Sequence, residues 1–229
     1  MTVHKRSQHR HGSRSQHRTQ AERREHTRQA LLDAALEQVE AGGSFEALSL
    51  RGVAREAGVV PTAFYRHFAS MDELGLALVE ESFRTLRAML REAREGGLPP
   101  TRLIHRSVAI LIEQVRTHRR HYLFIARVRS SADGVLRHAV RTEIRLVISE
   151  LATDLARFPV LREWTTEDLQ MLASVLVNTM IATVEAILEL PVAERDGPAD
   201  SGALADLARI AEKQLRLPLL AVPQWRSVA

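Results

Sequence analysis

Between Leu48 and Phe68, Ser49, Arg51, Thr62, Tyr65, Arg66 and His67 bring hydrogen-bonding and cationic groups together around Gly58 and Pro61. Arginine can pair with guanine edges or phosphates, threonine offers a hydroxyl or a methyl, and tyrosine and histidine can hold phosphate oxygens. These groups suit recognition of a polyanion rather than bond-making. The chain has no cysteine, so a thiolate nucleophile, a disulfide framework and a cysteine-ligated metal are excluded. There is no G-x-S-x-G elbow, P-loop or H-E-x-x-H motif, so no enzyme is expected. Nor is a metal: the histidine-rich front end lacks the paired spacing and further ligands of a fixed site.

Local signals say how these side chains would be positioned. Ser49 is placed as the N-cap of a short helix over 50–56. Ala54 and Ala57 are small enough for a steep helix crossing, and Gly58 can take the left-handed conformation that the turn requires. Pro61 suits the first turn of the next helix. Val53, Val59 and Phe64 would form a small core beneath. Such a helix-turn-helix enters the major groove by the N-terminal end of its second helix. Pro61, Thr62, Ala63, Tyr65, Arg66 and His67 are then the exposed edge. Ala63 would meet a thymine methyl, Arg66 a guanine, and Tyr65 and His67 the phosphates, while Ser49 offers a hydroxyl and a backbone N–H. Arg51 would reach a base or a phosphate. A glycine-turned helix pair also occurs as plain packing; the exposed Tyr65-Arg66-His67 trio is what packing leaves unexplained.

Charge supports the same reading. The 229 residues sum to +4, yet residues 1–28 alone carry +6 and the rest −2. Five histidines share that front stretch, and Arg14 is a further candidate DNA contact there. A basic arm over 1–18 suggests a polyanionic partner, nucleic acid before membrane surface, although a solvated tail has the same composition.

The remaining pattern is helical. Thr19-Gln20-Ala21-Glu22 is a capping box, followed by Leu31, Leu32, Ala35, Leu36 and Val39 at helical spacing up to Gly42-Gly43. Phe45 and Leu48 are expected to plug the two short helices onto this one. Ser70-Met71-Asp72-Glu73 opens a long helix reaching Gly96-Gly97. Helices are expected over 102–117, 120–130, 133–157, 166–190 and 203–217, with Trp164 and Leu169 stapling the fourth of these. No strand alternation appears, so the fold class is all-α. No apolar run approaches the roughly 18 residues of a membrane span, and no apolar segment follows the basic N-terminus, so no membrane insertion is expected and an intracellular protein is. Leu111, Val115, Phe124, Val128, Val147, Leu151, Leu176 and Met180 could line a long apolar cavity or serve as ordinary core.

The segment Ser49–Phe68 followed by Met71-Asp72-Glu73-Leu74 resembles the signature of the TetR family of bacterial transcription regulators, a "tRdIAreAGVs" helix leading into "tlYyHFxsKexL". Within it, Ser44–Arg51, Val60–Phe68 and Met71–Leu76 look closest to the DesT/FabR branch, repressors of unsaturated fatty-acid synthesis. The close match covers about residues 14–95. Beyond it, the helix order and Arg127-Val128-Arg129-Ser130-Ser131 support the likeness. Ala63 departs from the serine usual in the branch, and the arm before Arg14 departs in length and basicity. The resemblance implies a nine-helix protomer: an arm (1–18), a helix-turn-helix DNA-binding domain (19–69) and a ligand-binding and dimerisation domain (70–229). It implies a cytoplasmic, nucleoid-associated homodimer on a palindromic operator, with recognition helices about 34–36 Å apart. Helices 166–190 and 203–217 would form the dimer interface, with Leu172, Val175, Leu176, Thr179, Leu204, Leu207, Ala208, Ala211 and Leu215 as candidates for it or for the protomer's own core. It also implies a long-chain acyl-CoA or acyl-carrier-protein effector in the cavity and no other cofactor. Arg116, Arg119, Arg120, Arg127, Arg129 and Arg137 are candidate cations for its headgroup, each of them equally readable as part of a solvated basic face, and Arg127 and Arg129 are counted among the ligand-binding residues.

Overall fold

The computed structural model describes residues 19–94, 100–132, 134–195 and 202–227. Among these every regular element is helical. Helix α1 (Gln20–Glu40) starts at the expected capping box: Thr19 Oγ1 accepts from Glu22 N at 3.2 Å and Glu22 accepts from Thr19 N at 2.6 Å. Leu31, Leu32, Ala35, Leu36 and Val39 are all buried. A 3₁₀ turn (Phe45–Ala47), α2 (Leu50–Glu56) and α3 (Pro61–Phe64) complete a small unit.

Helix α4 (Met71–Arg94) leads out of that unit into a body made of α5 (Pro100–Thr117), α6 (Arg119–Ser130), α7 (Gly134–Leu155), α8 (Thr166–Glu189), the short α9 (Val192–Arg195) and α10 (Gly202–Ala221). Helix α8 packs on α7, α10 and α5, which makes it the centre of the body. Its start is capped by Thr165, whose hydroxyl accepts from Asp168 N. The other half of the cap comes from the far end of the chain: Ser227 Oγ accepts from Thr165 N at 2.8 Å and donates to Asp168. That hydrogen bond is the main reason the Asp168 carboxyl sits below its ordinary value.

Three expectations are corrected. Ten α-helices are described rather than nine, because Pro191 seeds the extra turn α9, accepting from Glu194 N and Arg195 N. Helix α10 runs past 217 and through Pro218, which lacks the N–H of a regular helix interior; Leu215, Leu219 and Val222 are held in the body's cores on either side of it. Helix α8 is also long and apolar enough, by length and composition, to cross a membrane. Scattered Gln, Ser, Asn and Thr residues disguised it as broken, but Leu169 to Val184 carries no charge.

Phe45, in one buried cluster with α1 and the short helices, has a further job beyond the one expected. Its ring meets Phe124 of α6 edge-on, at 5.6 Å between centroids, so it fastens the small unit to the body. One buried cluster runs from Leu31 and Phe64 through Leu74 and Leu78 to Phe124, Val140 and Val147. The crossing is tightest at Gly75, where an added Cβ would lie 2.7 and 2.9 Å from the Leu136 methyls and 2.9 Å from the Phe45 ring. Gly75→Ala forces α4 away from both sides at once and is expected to destabilise the fold by about 1–3 kcal/mol. An unchanged urea midpoint would contradict this packing.

Candidate DNA-reading surface and effector cavity

Helix α2 begins at Ser49, whose Oγ accepts from Gly52 N at 3.1 Å; that oxygen is a cap, leaving only its O–H to donate outward. The helix ends in a Schellman arrangement, Val59 N to Ala54 O at 2.9 Å, around Gly58 at φ +68°. Val53, Ala54 and Phe64 are fully buried and Val59 packs on them. Pro61 stands at the start of α3 as expected. Regular helix stops at Phe64, and Tyr65, Arg66 and His67 continue it as a tight turn, with Arg66 N to Ala63 O and His67 N to Phe64 O.

The predicted edge is on the surface. Pro61, Thr62, Arg66 and Arg51 are exposed, and Ala63 is half-buried. Tyr65 is 64% exposed although its ring stands edge-on to Phe64. Arg51 and Arg66 make no ion pair among the described residues. Val60, 65% exposed at the N-cap of α3, belongs to the same edge and was not singled out in the sequence. The first half of α1 adds cations: Arg28 lies over the Phe68 ring at 5.4 Å. Burial, then the charges of Arg24 and Arg28, hold His67 below the ordinary histidine value. It therefore meets neutral solution as an imidazole, not a cation. Arg14 lies outside the described residues.

A cavity of about 640 Å³ lies between α4, α5, α6, α7, α8 and α10. Its walls are almost entirely hydrocarbon, and Arg157 and Val160, both exposed, mark its opening at the α7–α8 connection. Leu111, Arg129, Val147, Leu151, Leu176 and Met180 line it; Val115, Phe124, Arg127 and Val128 do not. Val115 is spent between α5, α8 and α10, and Phe124 and Val128 in the shared core. Arg127 turns away to donate to the carbonyls of Val39 and Gly43, at 3.0 Å for the latter, closing the end of α1.

The six arginines foreseen for a headgroup do not converge. Arg119 pairs with Glu40 at 2.6 Å, and Arg120 with Glu40 at 2.7 Å and Glu37 at 2.9 Å. Burial pushes the Glu40 carboxyl up, but hydrogen bonds from Arg120 and Arg119 outweigh it and hold the group low. Arg116 pairs with Glu113, and Arg137 donates to Ser131 O. Only Arg129 faces the cavity, paired with Glu185. Four of the six, Arg119, Arg120, Arg127 and Arg129, share α6, and which neighbour each of them meets depends on how α6 sits against α1 and α8.

Ser82, His121 and Tyr122 are among the polar groups of the cavity wall that were not foreseen. Ser82 Oγ donates to Leu78 O at 2.7 Å and so accepts from His121 Nδ1 at 3.0 Å. Burial lowers the His121 value; Glu81 and Asp33 oppose the shift and His118 adds to it. Burial pushes the Tyr122 hydroxyl up to about 12, and it has no hydrogen-bond partner among the described residues. No group of three or more His, Asp or Glu among the described residues is placed to hold a metal ion.

A helix-turn-helix with an open cationic edge, seated on a helical body with an apolar cavity, defines the architecture of a DNA-binding regulator. The sequence matches the bacterial regulatory proteins of the tetR family over residues 31–78 and the tetracyclin repressor-like C-terminal domain over 100–216. The chain belongs to the TetR family and is a TetR-type transcriptional regulator, a class of DNA-binding proteins and not of enzymes. Its backbone is similar to a transcriptional regulator from Rhodococcus sp. at 22% identity and TM-score 0.64, covering 86% of this chain and 96% of that one. The fatty acid degradation regulator FadR of Bacillus halodurans gives 15% and 0.63, covering 82% and 94%. FadR of Bacillus subtilis, solved with stearoyl-CoA, gives 13% and 0.58, covering 82% and 96%. At these identities the likeness carries the fold.

The two lowered histidines make stability depend on pH. Unfolded, both titrate near 6.5, so below that value the unfolded chain takes up protons that the fold resists. Their contribution is complete above about pH 6.5 and fades as pH falls through the lowered folded values. The urea midpoint is expected to drop between pH 7.5 and pH 5, and His121→Gln to flatten that slope. An identical slope in the variant would show that His121 is not a source.

Proposed function

We propose that this regulator represses genes of fatty-acid desaturation or unsaturated fatty-acid synthesis, and that a long-chain acyl-CoA or acyl-carrier protein controls it from the body cavity. The hydrocarbon-walled space of about 640 Å³ beneath α6 carries this reading. Burying a sixteen-carbon chain is worth roughly 12 kcal/mol gross at about 0.8 kcal/mol per methylene, before association costs of similar order. The DesT/FabR-like segment and the acyl-CoA found in the B. subtilis structure support the ligand class. A neutral hydrophobic effector, such as a drug, is the second reading, favoured because both arginines lining the cavity already have acidic partners.

On the DNA side, Thr62, Ala63 and Arg66 read base edges in the major groove while Ser49, Arg51, Tyr65 and His67 hold phosphates, with Pro61 leading the helix. Arg14 contacts DNA from the arm. Family members dimerise, and Met171 and Val175 of α8 with Ile210, Leu217 and Leu220 of α10 remain exposed apolar side chains for that purpose. Leu172, Leu204, Ala211 and Leu215 are buried in the protomer's own cores, and Leu176 faces the cavity. The cytoplasm is its place of action.

Signal transfer runs through α6. This helix lines the cavity with His121, Tyr122, Ile125, Ala126 and Arg129, and grips α1 through Arg119, Arg120 and Arg127. Half-exposed pairs of this kind contribute about 0–1 kcal/mol each, the scale of a coupling energy that a ligand can overturn. A bent and a straight chain would seat α6 differently and change the spacing of the recognition helices.

Three outcomes are expected. Oleoyl-CoA and palmitoyl-CoA shift operator affinity to different extents in gel-shift titrations; equal effects, or none, would sink the acyl reading. Tyr65→Ala weakens operator binding by about tenfold or more, and an unchanged footprint would refute the docking. Glu37→Gln with Glu40→Gln retains ligand binding but shrinks the ligand's effect on operator affinity. Full retention of that effect would remove α6 from the path.

A further inference from the structure

The cavity's charges are all accounted for within the protein. Six titratable side chains line it: His121, Tyr122, Arg129, Asp154, Arg157 and Glu185. Arg129 Nη2 of α6 meets Glu185 Oε1 of α8 at 2.5 Å, with both side chains about two-thirds covered. At the opening, Arg157 Nη1 meets Asp154 Oδ1 at 3.3 Å. The other two are neutral near pH 7, since burial lowers the His121 value and raises that of Tyr122. The two cations are thus matched by two anions.

We propose that the Arg129–Glu185 pair makes the cavity selective for chains whose enclosed end is uncharged, such as an ester, thioester, alcohol or plain hydrocarbon, over a free carboxylate or amine. This rests on the reading of the cavity as a site for a long hydrocarbon chain. A carboxylate brought inside would have to take Arg129 from Glu185, leaving one anion at the partly covered cavity wall without a partner. An amine would strand Arg129 in the same way. A neutral oxygen-bearing end leaves the pair intact and needs only an ordinary hydrogen bond. The pair also ties α6 to α8, so a ligand that spares it fills the cavity without releasing α6 from that side.

Displacement of the neutral dye N-phenyl-1-naphthylamine from the full chain tests this with methyl oleate, oleate and oleylamine below their aggregation concentrations. For the native protein, methyl oleate is expected to bind about tenfold or more tighter than either charged probe. Glu185→Gln frees the Arg129 guanidinium, so oleate should gain by about tenfold while methyl oleate stays unchanged. Arg129→Gln should instead favour oleylamine, leaving a carboxylate for it. Oleate binding as tightly as methyl oleate to the native chain overturns the proposal, as does a ranking that neither substitution alters. If no probe displaces the dye, the acyl reading falls and this proposal with it. If the ranking holds while oleoyl-CoA leaves operator affinity untouched, the proposal stands and the acyl-CoA control falls.

Discussion

Phe124 is completely buried at the middle of α6, with the Phe45 ring edge-on to it, and that contact turns two small hydrophobic cores into one. A unit of roughly fifty residues buries too little apolar surface to be robust alone, and here its core continues into α4, α6 and α7. The guanidinium of Arg127, one turn further along, donates to the Val39 and Gly43 carbonyls and so ties α6 to the end of α1. The helix-turn-helix unit therefore has its orientation set by α6 as well as by its covalent neighbour α4.

That arrangement puts one helix in two roles. The face of α6 toward α8 and α5 borders the cavity, and the face toward α1 holds the DNA-binding unit. A shift of α6 cannot be absorbed on one side alone, because the shared core is close-packed. Gly75 shows how little room there is, since even a methyl would overlap both Leu136 and Phe45. The joint along α1, by contrast, relies on half-exposed ion pairs, which can exchange partners with water at small cost. A stiff core beside a soft seam is a reasonable construction for a regulator that must move without unfolding.

The cavity, the core and a strip of exposed apolar side chains all draw on the same helices. Helix α8 gives Leu176 and Met180 to the cavity, Leu172 and Ala173 to the core, and leaves Met171 and Val175 outside. Its unbroken lack of charge from Leu169 to Val184 follows from these three apolar duties and does not require a membrane. Periodicity reports that a helix has a wide apolar face. It does not divide that face among neighbours, which is why the sequence left Leu172, Leu204 and Leu215 undecided between interface and core.

Local physics was legible from the chain alone: the capping box at Thr19, the left-handed Gly58, Pro61 at a helix start and the apolar spacing of α1 each depend on residues close to one another in the chain. The exposure of Thr62, Tyr65 and Arg66 was legible for the same reason, since the turn that carries them sets which way they face. The fate of the α6 arginines was not. Their side chains reach across to Glu37, Glu40, Val39, Gly43 and Glu185, partners 56 to 88 residues away. Only the packing of α6 between α1 and α8 decides that Arg127 caps a helix and Arg129 balances Glu185. The cavity, too, belongs to tertiary structure, because an empty space is defined by several helices failing to meet and has no residue pattern of its own.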